Sequence, residues 1–444
     1  MAIPDAPRRI PVIGHAAALL SDPLGYLSTL PAHGDVLRLT LGPVRIVVVC
    51  DPELTRRVLV DDRTYDKGGP SFDSGLEEFG DGLASCPHSR HRRRRRLAQP
   101  SFHHSRYPGY ARVMTGHIDT ATAGWRPGQV LDVRAEMASL SMSIAVATMF
   151  SSSMPADRLR QAVGDLQTLV SGIHRTMLLP PVLTRLPLPV NQRYRRAVTR
   201  LRQTIGAIVA ERRAHAGDHD DLLASLLAAR DDQSDTPSSL TENEAVDEVM
   251  TFFAAGSETI ANTLAWSLYL LSQDADVRAR QRAEVEQVLT GDVATFEDIP
   301  KLEFTTRIVT ESLRLYPPAW IVTRAVTADT ELGGHPIPAG TFVAWSPYLL
   351  QRRADLYEEP DRFRPDRWDA TRCPAPPRSA FVSFGGGARK CIGDQFSYVE
   401  ATLALATITR RWTLDPLPGA RVTPAASTTL YPKNLRMRLV REAS

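Results

Sequence analysis

The sequence predicts a mainly α-helical protein with a smaller β-rich portion, and three observations carry that expectation. Most of the stretch from Val113 to Gln287 sets its apolar residues at helical spacing among Ala, Leu, Arg and Glu. From Asp35 to Val49, two β-rich runs flank Gly42-Pro43. The second, Ile46-Val47-Val48-Val49, is rich in β-branched side chains that suit a pleated strand, so a hairpin is expected there. Finally, Thr241-Glu-Asn-Glu244 has the capping-box pattern of a helix start, and the periodicity behind it runs to about Gln273. At about 1.5 Å per residue such a helix is long enough to cross a domain. Between these elements, Pro180 to Pro189 reads as a loop between helices, and the polar run Asp231 to Ser239, with Pro237, reads as a linker.

Composition narrows the class. Hydrophobic content of 43% and charged content of 23% over 444 residues suit a globular protein with a sizeable core, while length alone leaves the number of domains open. The formal net charge is only +3, which argues against a general affinity for nucleic acid or anionic membrane and leaves any charge effect local. Of 53 basic residues only Lys67, Lys301, Lys390 and Lys433 are lysines, a bias that reads as codon usage in a GC-rich genome. Cys50, Cys86, Cys373 and Cys391 are too scattered for a disulfide framework, so a reducing cytoplasm is expected. The amino terminus is broken by Pro4, Pro7 and Pro11, and no stretch reaches the roughly 20 apolar residues of a spanning helix.

The strongest chemical signal is Phe384-Gly-Gly-Gly-Ala-Arg-Lys-Cys391-Ile-Gly393, followed by a helix-like run from Asp394 to Thr409. A cysteine just before a helix sits where backbone N–H groups and the helix dipole favour its thiolate, and the glycines let the backbone lie close to a flat ligand. On these residues the chain resembles the cytochrome P450 superfamily: Phe384, Gly385, Gly387, Arg389, Cys391 and Gly393 fill its FGxGxRxCxG signature. Three further motifs follow the family's order, Ala255-Gly256-Ser-Glu258-Thr259, Glu311-Ser-Leu-Arg314 and Pro365-Asp-Arg367-Trp368.

The resemblance implies one domain over residues 1–444, a P450 fold, and haem b with Cys391 as axial thiolate. It also implies that His91, Arg95, Arg324 and Arg389 meet the haem propionates and that Phe384 and Gly385 belong to the cofactor loop. Glu311, Arg314 and Arg367 become a buried network supporting the cysteine loop, where a surface pair at i and i+3 would otherwise contribute only ~0.3 kcal/mol. In the long helix, Gly256 is expected to leave a carbonyl unpaired and open a local distortion for water or dioxygen. Thr259 would hydrogen-bond the dioxygen, and Glu258 would feed protons from solvent.

Electrons must come from another protein. The chain ends about fifty residues after Cys391 and has no C-x4-C-x2-C pattern, so a ferredoxin with its NAD(P)H-dependent reductase is the expected donor. The five arginines Arg92 to Arg96 lack interleaved aromatics, which argues against nucleic acid. Those turned away from the haem are expected to face an acidic electron donor. Phe252, Phe253, Ala255, Trp320, Ile321, Thr429 and Leu430 are candidates to line the substrate pocket, although helix-face phenylalanines are ordinarily core. The stretch Lys67 to Phe102 further resembles bacterial members that oxidise sesquiterpenes, implying a substrate such as pentalenene and a place in terpenoid antibiotic biosynthesis. The rivals are a haem-thiolate isomerase or peroxygenase, a haem gas sensor, and a monooxygenase acting on a macrolide, steroid or fatty acid. An isomerase or peroxygenase would need no Glu258 and Thr259 relay.

Overall fold

The computed structural model describes residues 2–69, 80–150, 156–178, 181–215, 220–233, 238–374, 376–377 and 379–441. The chain divides into two compact units, neither of them a continuous stretch: residues 1–73, 310–391 and 426–430 form one, and 74–309, 392–425 and 431–444 the other.

The first unit is built on a five-stranded sheet. The expected hairpin is there, with Val36–Leu41 antiparallel to Val44–Val49 and Gly42 in the turn at φ +58°, a conformation a β-carbon would strain. Val44–Val49 then pairs in parallel with Phe342–Trp345, which runs antiparallel to Val322–Val326, and Tyr65–Asp66 closes the edge. Val47, Val48 and Val49 are all buried, as a strand covered on both faces requires, and they pack with Leu27, Leu37, Val343 and Trp345.

Beside this apolar core lies a charged one. Glu311 and Arg314, at the end of helix Glu303–Leu315, are both fully buried and joined by two hydrogen bonds of 2.8 Å. The Glu311 carboxylate also accepts from the Trp368 indole (2.8 Å), the Arg364 backbone (3.1 Å) and Arg367 Nε (3.4 Å). The Arg314 guanidinium donates to the carbonyls of Gln351, Pro360 and Arg362. Burying either charge alone is costly, but here every strong donor and acceptor has a partner.

The second unit is helical, with one three-stranded antiparallel sheet in the order Val130–Asp132, Arg436–Arg441, Trp412–Pro416. Its centre is helix Glu242–Gln273, opened by the expected capping box: Thr241 Oγ1 accepts from the Glu244 backbone, and Glu244 answers from its side chain. Nine consecutive residues, Ile260 to Leu268, are buried, so this part of the helix is covered on every side. The hydroxyls there cause no penalty because Thr263 and Ser267 donate to carbonyls four residues back in the same helix. The helix packs along Val133–Phe150 and against Asp394–Arg411. Among the described residues no helix is long and apolar enough to cross a membrane.

Two expectations about connections change. Residue 180 lies outside the described residues, but Pro181–Arg185 is a short helix and Pro189 begins helix Pro189–Ala214. Pro181 and Pro189 mark first helical turns, where a missing N–H does no harm, and only the residues between the two helices remain as a loop. Residues 234–237 also lie outside the described residues, yet the ends of the expected linker are joined: Asp231 and Ser238 exchange backbone hydrogen bonds, and Asp231 is buried against Arg96.

Removing Arg314 would strand a buried carboxylate, so Arg314→Ala is expected to lower the unfolding free energy by about 3–5 kcal/mol in urea titrations. A loss below about 1 kcal/mol would mean that water reaches the pair. A second outcome concerns Glu400 on helix Asp394–Arg411, which is fully buried beside Ser141 and whose pKa burial pushes up to about 8. The folded protein keeps this proton up to about pH 8, while the unfolded chain releases it near its ordinary value of 4.5. The stabilisation is therefore complete below about pH 4.5 and declines as pH rises towards about 8. Glu400→Gln should show a flatter pH dependence of its urea midpoint across that range and be the more stable protein at its upper end; parallel curves would show that Glu400 ionises freely in the fold.

Candidate active site

The cysteine loop is shaped by the first unit's backbone. Gly385 and Gly387 adopt φ of +67° and +64°, and a β-carbon on Gly387 would fall 2.3 Å from the Leu59 carbonyl oxygen. Gly387 is thus required by the close approach of helix Pro52–Val60. The turn brings the Cys391 N–H to the Phe384 carbonyl at 2.9 Å and leaves the thiol exposed three residues before helix Asp394–Arg411. Of the other cysteines, Cys50 and Cys86 are buried, and burial pushes the Cys50 pKa up to about 12; Cys373 is half-buried and outside any motif. Cys391 is the one thiol placed to act as a ligand.

The Glu311 network reaches this loop through Gln351, a residue the motifs do not mark. Its amide donates to the Leu313 and Arg314 carbonyls (3.1 and 3.0 Å). Its oxygen accepts from the Val382 N–H and the Ser383 hydroxyl (both 2.9 Å), immediately before Phe384.

Two buried guanidiniums lie in the same unit. Arg389 is held by the carboxylates of Asp66 and Asp62. Arg324 donates to the Thr323 carbonyl, stacks over Trp345 and has no carboxylate at ion-pair distance among the described residues. Burial and the neighbouring Arg389 charge lower its pKa to about 10. A buried cation pushed this way favours an anionic partner, so the donor set of thiol plus guanidinium fits a haem with its propionates.

In the second unit the oxygen motif lies on a helix that stays α-helical through Gly256, and the expected distortion is not seen. Instead the Thr259 hydroxyl donates to the Ala255 carbonyl at 2.6 Å, which leaves its oxygen lone pairs facing outward as acceptors. Glu258 is paired with Arg134 at 3.2 Å, and the Arg134 guanidinium lies 4.0 Å over the Tyr431 ring.

The arginine helix His88–Ala98 differs from expectation. His91 is buried and Arg95 donates to Gln99, but Arg93 pairs with Glu244 at 2.8 Å, Arg94 with Glu248 at 3.4 Å, and Arg96 with Asp231 at 2.8 Å. These three tie their helix to the start of the long helix and the segment before it, so their charges are satisfied internally. Arg92 is the exposed member of the run. Glu248 and its neighbour Asp247 grip residues 81–83: the Asp81 N–H donates to Asp247 and the Leu83 N–H to Glu248.

The candidate lining residues separate. Phe253 has no accessible surface and packs edge-on against Phe150, and Leu430 is equally closed; both belong to the core. Phe252, Trp320 and Ile321 are half-buried, Ala255 is exposed and Thr429 is nearly closed at 9%. Phe252 meets Phe102 edge-on at 5.2 Å, and Trp320 is fixed by its indole to the Ser427 carbonyl at 2.7 Å. Of the stretch Lys67 to Phe102, residues 70–79 lie outside the described residues.

Known proteins agree with this arrangement. A Cytochrome P450 family model matches residues 4–438. Pentalenene oxygenase of Streptomyces avermitilis is 41% identical over 435 residues, covering 98% of this chain and 96% of that protein. The cyclooctat-9-en-7-ol 5-monooxygenase of Streptomyces melanosporofaciens is 41% identical over 415 residues, covering 93% and 90%. Among solved structures, the haem domain of cytochrome P450DA superposes with a TM-score of 0.89 at 26% identity, over 100% of this chain and 98% of that domain. The chain belongs to the cytochrome P450 family and is a haem monooxygenase whose iron takes a cysteine thiolate ligand.

Proposed function

We propose that this monooxygenase inserts one oxygen atom of dioxygen into a compact, apolar terpene, a sesquiterpene such as pentalenene being the best fit. The observation that carries the reading is the near full-length likeness to pentalenene oxygenase at 41% identity. The apolar character of Phe252 and Ala255 in one unit and of Trp320 and Ile321 in the other supports it, since side chains of this kind suit a hydrocarbon, whose burial contributes roughly 25 cal/mol per Å² of apolar surface.

Cys391 is the residue proposed to hold the iron, with Arg324, Arg389, His91 and Arg95 assigned to the propionates. When bound, haem supplies the activation of dioxygen, and a thiolate ligand favours O–O cleavage. The protein's own part is orientation and proton supply. Glu258, half-buried and paired with a partly solvated Arg134, takes protons from bulk water. Thr259, whose hydrogen is committed to the Ala255 carbonyl, receives a hydrogen bond at its oxygen and so anchors the water or acid that passes the proton on. Electrons come from a ferredoxin and its NAD(P)H-dependent reductase, with Arg92 as a contact available at the surface. The setting is cytoplasmic secondary metabolism.

Thr259→Ala is expected to bind substrate normally and consume NADPH while diverting most of it to hydrogen peroxide, with Thr259→Ser restoring product. Unchanged coupling in the alanine variant would make Thr259 a packing residue. The substrate assignment is tested by titrating ferric enzyme with terpenes, macrolides, steroids and fatty acids and following the haem absorption band, then measuring turnover with a surrogate ferredoxin system. Sesquiterpene hydrocarbons should bind most tightly and yield hydroxylated product. Productive binding confined to a macrolide, steroid or fatty acid would overturn the assignment.

A further inference from the structure

One short segment of the first unit grips the cysteine loop at two points. Helix Pro52–Val60 sets the Leu59 carbonyl against Gly387, and the residues that follow, 61–66, bring two carboxylates to Arg389: Asp66 at 2.5 Å and Asp62 at 3.5 Å. Arg389 stands two residues before Cys391. Its side chain is only 1% exposed, so water screens these ion pairs little. They fix the end of a loop whose start Gln351 fixes through Val382 and Ser383.

Both carboxylates are placed by the backbone around them. The Asp61 side chain accepts the Thr64 N–H (3.1 Å) and its carbonyl the Tyr65 N–H (3.0 Å), which closes the turn that carries Asp62. Tyr65 is fully buried, and Asp66 pairs with Ala325 at the edge of the five-stranded sheet. Past Asp66 the chain lies so close to the neighbouring strand that side chains have no room. A β-carbon on Gly68 would fall 2.6 Å from that of Ala325, and one on Gly69 2.7 Å from Thr323 Oγ1. The Thr323 hydroxyl also donates to the Gly68 carbonyl at 3.0 Å. Asp66 is therefore mounted on a rigid element. The charges of Arg389 and Arg324 repel each other, and Asp66 and Asp62 offset that repulsion.

We propose that Asp66, supported by Asp62, is a positioning residue for the axial ligand: it ties Arg389, and with it the end of the cysteine loop, to the sheet and cancels the guanidinium charge two residues from the thiolate. The inference rests on Cys391 as the iron ligand. It gives Arg389 a task besides meeting a propionate, and a guanidinium with five N–H donors can serve both. Two effects follow from removing the Asp66 charge. A loop end released from the sheet holds the thiolate on the iron less firmly, and an uncancelled positive charge beside the centre favours the ferrous over the ferric state. If Asp66 instead competed with a propionate for Arg389, its removal would free the guanidinium and tighten haem binding, a change of the opposite sign.

The test compares the wild-type holoenzyme with Asp66→Asn by three measurements: the spectrum of the reduced, carbon monoxide-bound protein, the rate of haem transfer to excess apomyoglobin, and the reduction potential by spectroelectrochemistry. Asp66→Asn should convert part of the red-shifted band to the shorter-wavelength one, release haem at least about ten-fold faster, and show a more positive potential. Asp66→Glu should move all three back towards wild type. On an Arg389→Gln background, Asp66→Asn should add no further loss of haem, because Asp66 acts through Arg389. Should Asp66→Asn yield too little holoprotein, Asp62→Asn, which loses the longer contact, is measured in its place and should shift in the same directions to a smaller extent. Wild-type values in the asparagine variant, slower haem release, or equal damage on the Arg389→Gln background would each overturn the proposal. A wild-type protein without the red-shifted band would overturn the Cys391 reading and this proposal with it, whereas that band beside an unchanged Asp66→Asn overturns the proposal alone.

Discussion

Two charges that water cannot reach, Glu311 and Arg314, are the constraint on which the first unit depends. Neither could be buried alone, and their joint burial is tolerable because the surrounding backbone is arranged to receive them: carbonyls from Gln351, Pro360 and Arg362 on one side, the Arg364 N–H and Trp368 indole on the other. That requirement reaches beyond the pair. Gln351 supplies a carbonyl to Arg314 and at the same time spans from the end of the helix to Val382 and Ser383. The segment leading into the cysteine loop is therefore held by the same hydrogen-bond network that neutralises the buried charges, and the course of the chain before Phe384 is tied to an electrostatic necessity some distance along it.

The second unit meets a related problem with a different solution. A helix buried on all sides must either be wholly apolar or satisfy its polar side chains from its own backbone, and Ser257, Thr263 and Ser267 do the latter. Its first turns instead carry Glu244, Asp247 and Glu248, which receive arginines from the arginine helix and from Pro189–Ala214, and the backbone of residues 81–83. Burial pushes the Glu248 pKa up to about 7 even with Arg94 beside it, so desolvation outweighs the ion pair there. Glu258 is set apart from this group by its partner Arg134, which is partly solvated and stacked on Tyr431.

What could be read from the sequence was what is decided locally. The hairpin at Gly42, the capping box at Thr241 and the span of the long helix depend on neighbours within a few residues, and they stand where periodicity put them. The arginine run misled because its partners are remote: Glu244 lies 151 positions from Arg93 and Asp231 lies 135 from Arg96, so a cluster that reads as a surface is largely internal. Adjacent Phe252 and Phe253 are indistinguishable by composition, and only the tertiary packing of Phe150 assigns the second to the core. Gln351 and Asp66 carry no motif and were invisible for the same reason. Pro181 and Pro189 did punctuate the chain, but as helix starts, a role proline has as readily as that of a breaker.

The claim on which the functional reading rests is that Cys391 supplies the thiolate to the haem iron, and the absorption spectrum of the reduced, carbon monoxide-bound protein tests it most directly. Wild-type protein should give the strongly red-shifted Soret band of a thiolate-ligated haem, and Cys391→His should lose that band for the shorter-wavelength one of a histidine-ligated haem while keeping its helical circular dichroism. A Cys391→His protein that retained the red-shifted band would place the ligand elsewhere and contradict the account.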